Sequence, residues 1–179
     1  MISIRRGKYS ISGLKDTIAF CKESSKIPIV TVVEIGSFVG ESTRVFAMNF
    51  EKVISIDPWD NNLFKTDGKR FKTNMSEVEA QFDLMRKDFP NIKKMKMTGD
   101  SAVQFFEDDS IDMVYIDALH TYEAVRQDLL NWAPKVKKGG IISGHNYEES
   151  FPGVMKAVNE FLGHPPFFIG KDSSWVSVK

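Results

Sequence analysis

Residues 32–40 read VVEIGSFVG, a β-branched run that ends on an acid and passes into two glycines separated by Ser37, Phe38 and Val39. The pattern is a short strand followed by a glycine-lined turn. The same rhythm recurs along the chain. IVTVVEIG (29–36), KVISID (52–57), KKMKMTG (93–99), IDMVYID (111–117) and GGIISGH (139–145) each read as strands. Between them, 41–50, 76–89 and 122–136 carry apolar residues at helical spacing, and Gly139 follows the last as a stop. Strands alternating with helices imply βαβ units and a parallel sheet covered on both faces.

Beyond residue 150 the rhythm changes. A helix over 153–162 leads through His164-Pro165-Pro166 into PFFIG and SSWVSVK, and the KDSS between these two runs reads as a hairpin. The expected fold is therefore α/β, a Rossmann-like doubly wound sheet of seven strands, mostly parallel with a C-terminal antiparallel hairpin. One domain over 1–179 accommodates it. Residues 1–28 form an N-terminal helix region, with an amphipathic stretch over 11–21. The polar, aromatic-studded segment 58–73 is a candidate lid, with Trp59 and Phe64 offering apolar contact to a ligand.

Composition narrows the function. Hydrophobic residues make up 42% and charged residues 27%, the profile of a soluble globular protein. Lys+Arg and Asp+Glu are both 24, which gives no general attraction for a polyanion. The single cysteine, Cys21, excludes an internal disulfide and a thiolate zinc site, and points to the cytoplasm. No apolar run is long enough to cross a bilayer. A small-molecule acceptor is the expected partner; neither nucleic acid nor a membrane is expected, and a homodimer is left open.

In a doubly wound sheet, ligands sit outside the carboxyl ends of the strands. Those ends carry Glu34 and Gly36, then Asp57, Asp100, Asp117, and His145 with Asn146. Asp57 also reads as a turn acid before Pro58, and Asp100 and Ser101 also read as helix caps. The glycine turn discriminates between cofactors. Phe38 and Val39 stand where a dinucleotide site needs a backbone free to approach a pyrophosphate, and Glu34 would repel one. A cation would be welcome there, and Asp57 is placed to take two ribose hydroxyls. A ribose with a positive charge and no phosphate is S-adenosylmethionine.

VVEIGSFVGES, VISIDPW, MTGDS, IDMVYIDALHTYEAVRQDL and GGIISGHNY together resemble the successive motifs of class I S-adenosylmethionine-dependent methyltransferases, most closely the small-molecule O-methyltransferase branch called methyltransferase family 24. The block D-x-x-H-x-Y-x-x-x-x-x-D, Asp117 to Asp128, is its most specific part. The resemblance implies methyl transfer to a hydroxyl, less readily an amine, of a small molecule. It places Glu34, Gly36 and Gly40, with Ser37 and Ser42 of the same turn, around the methionine moiety. Asp57 would hold the ribose, Asp100 and Ser101 would lie at the adenine edge, and Asp117 would complete the cofactor site.

Metal-dependent relatives hold magnesium through an acid ending the fourth strand and a pair ending the fifth. Here those positions are Asp117, His145 and Asn146, a set better suited to a softer transition metal. His120 stands where catechol-type enzymes place a catalytic lysine, so His120 and Asp117 are the candidate catalytic residues; His120 could equally cap the following helix. Two other readings stay in play. One is an NAD(P)-dependent oxidoreductase, against which the absent middle glycine counts. The other is a non-catalytic S-adenosylmethionine-binding module.

Overall fold

The computed structural model describes residues 8–63, 65–66, 69–70 and 74–179. In chain order its elements are α1 (Lys8–Ser24), β1 (Thr31–Ile35), α2 (Glu41–Ala47), β2 (Lys52–Asp57), β3 (Lys65–Thr66), β4 (Lys69–Arg70), α3 (Met75–Arg86), β5 (Ile92–Lys96) and α4 (Gly99–Ala102). There follow β6 (Ile111–Ile116), α5 (Tyr122–Trp132), β7 (Val136–Gly144), α6 (Pro152–Leu162), β8 (Phe168–Ile169) and β9 (Trp175–Val178). Seven strands form one sheet in the order β5-β2-β1-β6-β7-β9-β8. Strands β5, β2, β1, β6 and β7 pair in parallel, whereas β9 runs antiparallel to both β7 and β8.

The period of two along each strand sorts the core into two layers. Val33 and Ile35 of β1 join Ile54, Ile56, Val114 and Ile116 against Leu129 and Trp132 of α5 and Val154 of α6. Val32, Val53, Met113 and Tyr115 face the other way, onto Leu14 and Ile18 of α1, Phe46 of α2 and Phe82 of α3. Stacking of Phe20 on Phe168, with ring centroids 4.4 Å apart, ties α1 to the C-terminal hairpin. Among the described residues no helix is long and apolar enough to cross a membrane.

Several boundaries differ from the sequence reading, each for a local reason. The helix expected over 122–136 stops at Trp132, where Pro134 enters a 3-10 turn at Ala133–Lys135, and Val136 already begins β7. Gly139 is thus no helix stop: it lies inside β7. Helix α1 is longer than the expected 11–21. Residues 99–105, where Asp100 and Ser101 also read as helix caps, hold α4 and a 3-10 turn at Val103–Phe105; Thr98 is the cap, its Oγ1 accepting from the backbone N–H of Ser101.

The candidate lid divides. Trp59 is 3% exposed, its ring 4.8 Å from that of Phe82 and its Nε1–H donated to the Phe38 carbonyl at 2.8 Å. It therefore props the glycine turn from behind and is not available to close over a ligand. Farther on, β3 and β4 make a small antiparallel hairpin. Phe64 lies outside the described residues.

Candidate active site

Strand β1 is central, with β2 on one side and β6 on the other, so the chain leaves β1 in one direction and returns in the opposite one. The crevice this reversal opens at the carboxyl ends is a cavity of about 660 Å³. Gly36, Ser37, Phe38, Val39 and Ser42 line it from the turn, Asp57 from the end of β2, and Thr98, Gly99 and Asp100 from α4 and its cap. Asp117 to His120 come from the end of β6, Ala124, Gln127 and Asp128 from α5, and His145 and Asn146 from the end of β7.

The turn is built before any ligand arrives. The N–H of Gly36 donates to the Ile56 carbonyl at 2.8 Å, and that of Asp117 donates to the Ile35 carbonyl at 2.8 Å, so the turn and the end of β6 are stitched side by side. Gly36 and Gly40 have φ of +89° and +86°. A Cβ on Gly36 would lie 2.2 Å from the Asp117 carbonyl oxygen. The first glycine of the motif is thus required by a neighbouring strand end.

Glu34 and Asp57 have tasks the sequence reading did not give them. Glu34 lies wholly inside the protein on the α2 face of β1, where its carboxyl accepts from Ser42 Oγ at 2.5 Å, from Thr43 Oγ1, and from Ser55 Oγ at 3.2 Å. Burial pushes its pKa up, against the pull of the Ser42 and Thr43 hydroxyls. It fastens α2 to the sheet and does not line the cavity; neither do Gly40 and Ser101. Asp57 Oδ2 accepts from the backbone N–H groups of Ser37 (3.0 Å) and Phe38 (2.9 Å), and Oδ1 from that of Trp59 (2.8 Å). Three of its roughly four acceptor positions are used, which leaves one for a ribose hydroxyl in place of the expected two.

Asp57→Ala is accordingly expected to destabilise the fold by about 2–4 kcal/mol through stranded N–H groups, with Asp57→Asn losing less. Urea unfolding measures this. Wild-type stability of Asp57→Ala combined with weak binding of S-adenosylhomocysteine would instead give the carboxylate wholly to the ligand.

At the other side of the cavity four polar groups gather as the sequence predicted. His120 Nε2 is 3.3 Å from Asp117 Oδ1, His145 Nδ1 is 3.6 Å from the same oxygen, and His145 Nδ1 is 2.8 Å from Asn146 Oδ1. The helix-cap alternative for His120 does not hold: Thr121 is the N-cap of α5, its Oγ1 accepting from Ala124 N–H. The His120 ring instead meets Phe151 edge to face at 5.0 Å. Asp117 is 9% exposed by its side chain and His120 32%, so a buried carboxylate steadies a half-open imidazole.

Magnesium fits this arrangement poorly. Among the described residues no three His, Cys, Asp or Glu side chains are grouped to hold an ion. The Asp117–His145–Asn146 set offers one carboxylate and one amide to an ion, magnesium, that takes oxygen ligands in a near-octahedral shell.

One acid escaped the sequence reading as a site residue. Asp128, the last residue of the D-x-x-H-x-Y block, is 8% exposed and lines the cavity. Burial, with Asp100 adding like charge, pushes its pKa up to about 7. A signal was present: Val125, Asp128, Leu129 and Trp132 are the buried positions of α5, so the acid sits on an apolar helix face.

A crossover sheet closed by a reversed hairpin, with its cavity over a glycine turn and an acid–imidazole pair on the wall, defines a Rossmann-like α/β protein. The chain belongs to the methyltransferase domain family numbered 24, which matches residues 33–147, and that family implies S-adenosylmethionine as methyl donor. Uncharacterized protein R132 of Acanthamoeba polyphaga mimivirus is 29% identical over 140 residues, 74% of this chain and 59% of that protein. The chain thus spans about three fifths of its relative's length. Among solved structures, apo CalS11, a TDP-rhamnose 3′-O-methyltransferase of calicheamicin biosynthesis, superposes with a TM-score of 0.66 at 16% identity, covering 98% of this chain and 81% of that one. Phosphoethanolamine N-methyltransferase 1 of Haemonchus contortus, in complex with phosphoethanolamine and S-adenosylhomocysteine, gives 0.54 at 18% identity over 79% of this chain and 26% of that one. At such identities the likeness establishes the fold alone.

Proposed function

We propose that the chain methylates a hydroxyl group of a small molecule, using S-adenosylmethionine. The observation that carries this reading is the Asp117–His120 pair at 3.3 Å on the cavity wall. Bound S-adenosylmethionine supplies a methyl carbon activated by its sulfonium. The cavity volume is within the usual range for a ligand of this size. The turn residues Gly36, Ser37 and Ser42, with Asp57, Asp100 and Asp117, are those available to hold it.

What an alcohol or phenol needs from the protein is removal of its proton as its oxygen attacks carbon. His120 presents Nε2 to Asp117, which leaves Nδ1 to take that proton, while Asp117 holds the tautomer and stabilises the imidazolium that results. The bond formed is O–C and the bond broken is C–S, with the electron pair returning to sulfur and the proton resting on His120. An amine acceptor would need the same proton removal later in the reaction and would depend less on His120, so the hydroxyl reading is preferred.

His120→Ala is expected to lower kcat about 10²- to 10⁴-fold, the usual share of a positioned general base. Wild-type rate should rise with pH as a general base is freed of its proton, and that limb should vanish in the variant. Activity should survive chelation. The assay is transfer of a labelled methyl group to a panel of phenols, sugars and amines. Full rate in His120→Ala, or activity lost to chelator and restored by manganese or nickel, would overturn the proton-transfer role.

A further inference from the structure

The wall formed by α4 and α5 contains a group for which methyl transfer has no use. Asp128 projects from the second turn of α5 into the cavity side, almost fully buried, and the residues opposite it are cleared to make room. A Cβ on Gly99 would lie 3.2 Å from Asp128 Oδ1, 3.4 Å from Trp132 Nε1 and 2.9 Å from Ile35 Cγ2, so the acid and the indole N–H converge on the space this glycine leaves. Among the described residues the buried Trp132 N–H has no partner, and no hydrogen bond explains why a carboxyl should be kept at Asp128. The exposed neighbour Asp100 is already engaged, accepting from Asn131 Nδ2 at 2.7 Å.

The acceptor end of the cavity is marked by Asp117, His120 and His145, so a bound S-adenosyl ligand must have its sulfur there and its base toward α4 and α5. We infer that Asp128 is the specificity-determining carboxyl that accepts a hydrogen bond from the exocyclic amine of the ligand's adenine. This rests on the S-adenosylmethionine reading above. A 6-amino purine donates to such a carboxylate; a 6-oxo purine turns an acceptor oxygen toward it and is rejected, since a buried acceptor pair is left unbonded. The pKa of about 7 supports this placement, because a carboxyl without internal donors is held for a donor from outside. Asp100 on α4 is the charged group bearing on it, while β1 contributes Ile35 and the next turn of α5 contributes Trp132.

The test is calorimetric binding of S-adenosylhomocysteine and of its 6-oxo analogue, S-inosylhomocysteine, to wild type and Asp128→Asn between pH 6 and 8. Wild type should prefer the adenine ligand at least tenfold, and its affinity should fall as pH drops through 7 and protonates Asp128. In Asp128→Asn, whose amide can donate or accept, the preference should shrink below about threefold and the pH slope should flatten. If Asp128→Asn retains preference and slope, the assignment is wrong while the cofactor reading stands. If wild type binds neither ligand, the cofactor reading falls and takes the assignment with it. Should Asp128→Asn fail to fold, as a thermal melt would reveal, the wild-type discrimination and its pH slope decide alone.

Discussion

Asp128→Asn is expected to make the ligand-free protein more stable at pH 8, by up to about 4 kcal/mol, since each pKa unit is worth about 1.4 kcal/mol. The carboxyl's pKa rises from 3.8 to about 7 on folding. An acid whose folded pKa is raised contributes stability that is fully present below its unfolded pKa and is lost as pH rises through the folded one. At pH 8 wild type therefore carries an ionised, buried carboxylate at a cost that an amide avoids. The gain should shrink as pH falls and vanish near pH 4. For a chain of 179 residues the pH 8 effect corresponds to roughly 10 °C in Tm. Saturating S-adenosylhomocysteine should narrow the difference, because ligand that binds only the folded state stabilises wild type more. A variant less stable than wild type at pH 8 would show that the carboxylate is satisfied inside the protein. A binding group that strains the empty site is a familiar trade of stability for function.

Gly36→Ala is expected to lose more than about 3 kcal/mol, of which about 1–2 comes from placing an L-residue at positive φ and the remainder from steric clash. The added carbon would meet the carbonyl oxygen of Asp117 at 2.2 Å, its carbonyl carbon at 2.6 Å and Ala118 Cα at 2.7 Å, all backbone atoms of the β6 exit. Relief requires the Gly36 turn and Asp117 to separate, which would also disturb the Asp117–His120 pair. Gly40→Ala makes the informative comparison. Its φ is similar, but the obstructions are side-chain atoms, the terminal methyl of Met85 at 2.2 Å and the Phe82 ring at 2.9 Å, and no backbone atom is among them. Its cost should be smaller than that of Gly36→Ala, with about 1–2 kcal/mol as the backbone share and the rest set by how far Met85 and Phe82 give. Urea unfolding of both variants, with methyl-transfer assays, separates the two. Equal losses would mean that the close approach to β6 is not what demands the first glycine.

The alternation of β-branched runs with helical spacing was enough to predict the doubly wound sheet, and the apolar runs around KDSS were enough for its antiparallel end. Both depend on local periodicity, which a linear reading registers directly. The block from Asp117 to Asp128 similarly places Asp117, His120 and Asp128 on the cavity wall, because strand ends lie together once the strands are known to be parallel. Pro134 marked the true end of α5, yet the continuing apolar pattern outweighed it.

What the sequence could not disclose is how each acid is used. Glu34 reads as a strand-end charge, but its partners Ser42, Thr43 and Ser55 come from α2 and β2, and together they draw it into the core. Asp57 reads as a ribose ligand, but N–H groups from a turn about twenty residues earlier and from Trp59 take most of its acceptor capacity. Asp128 reads as the closing residue of a motif block with no role assigned to it, and only the docking of α5 against α4 and β1 turns it into a buried acid. By itself the sequence determined which groups reach the carboxyl ends of the strands. The tertiary structure decided which of them face solvent, ligand or core, because hydrogen-bond partners distant in the chain and the loss of water around a charge exist only after packing.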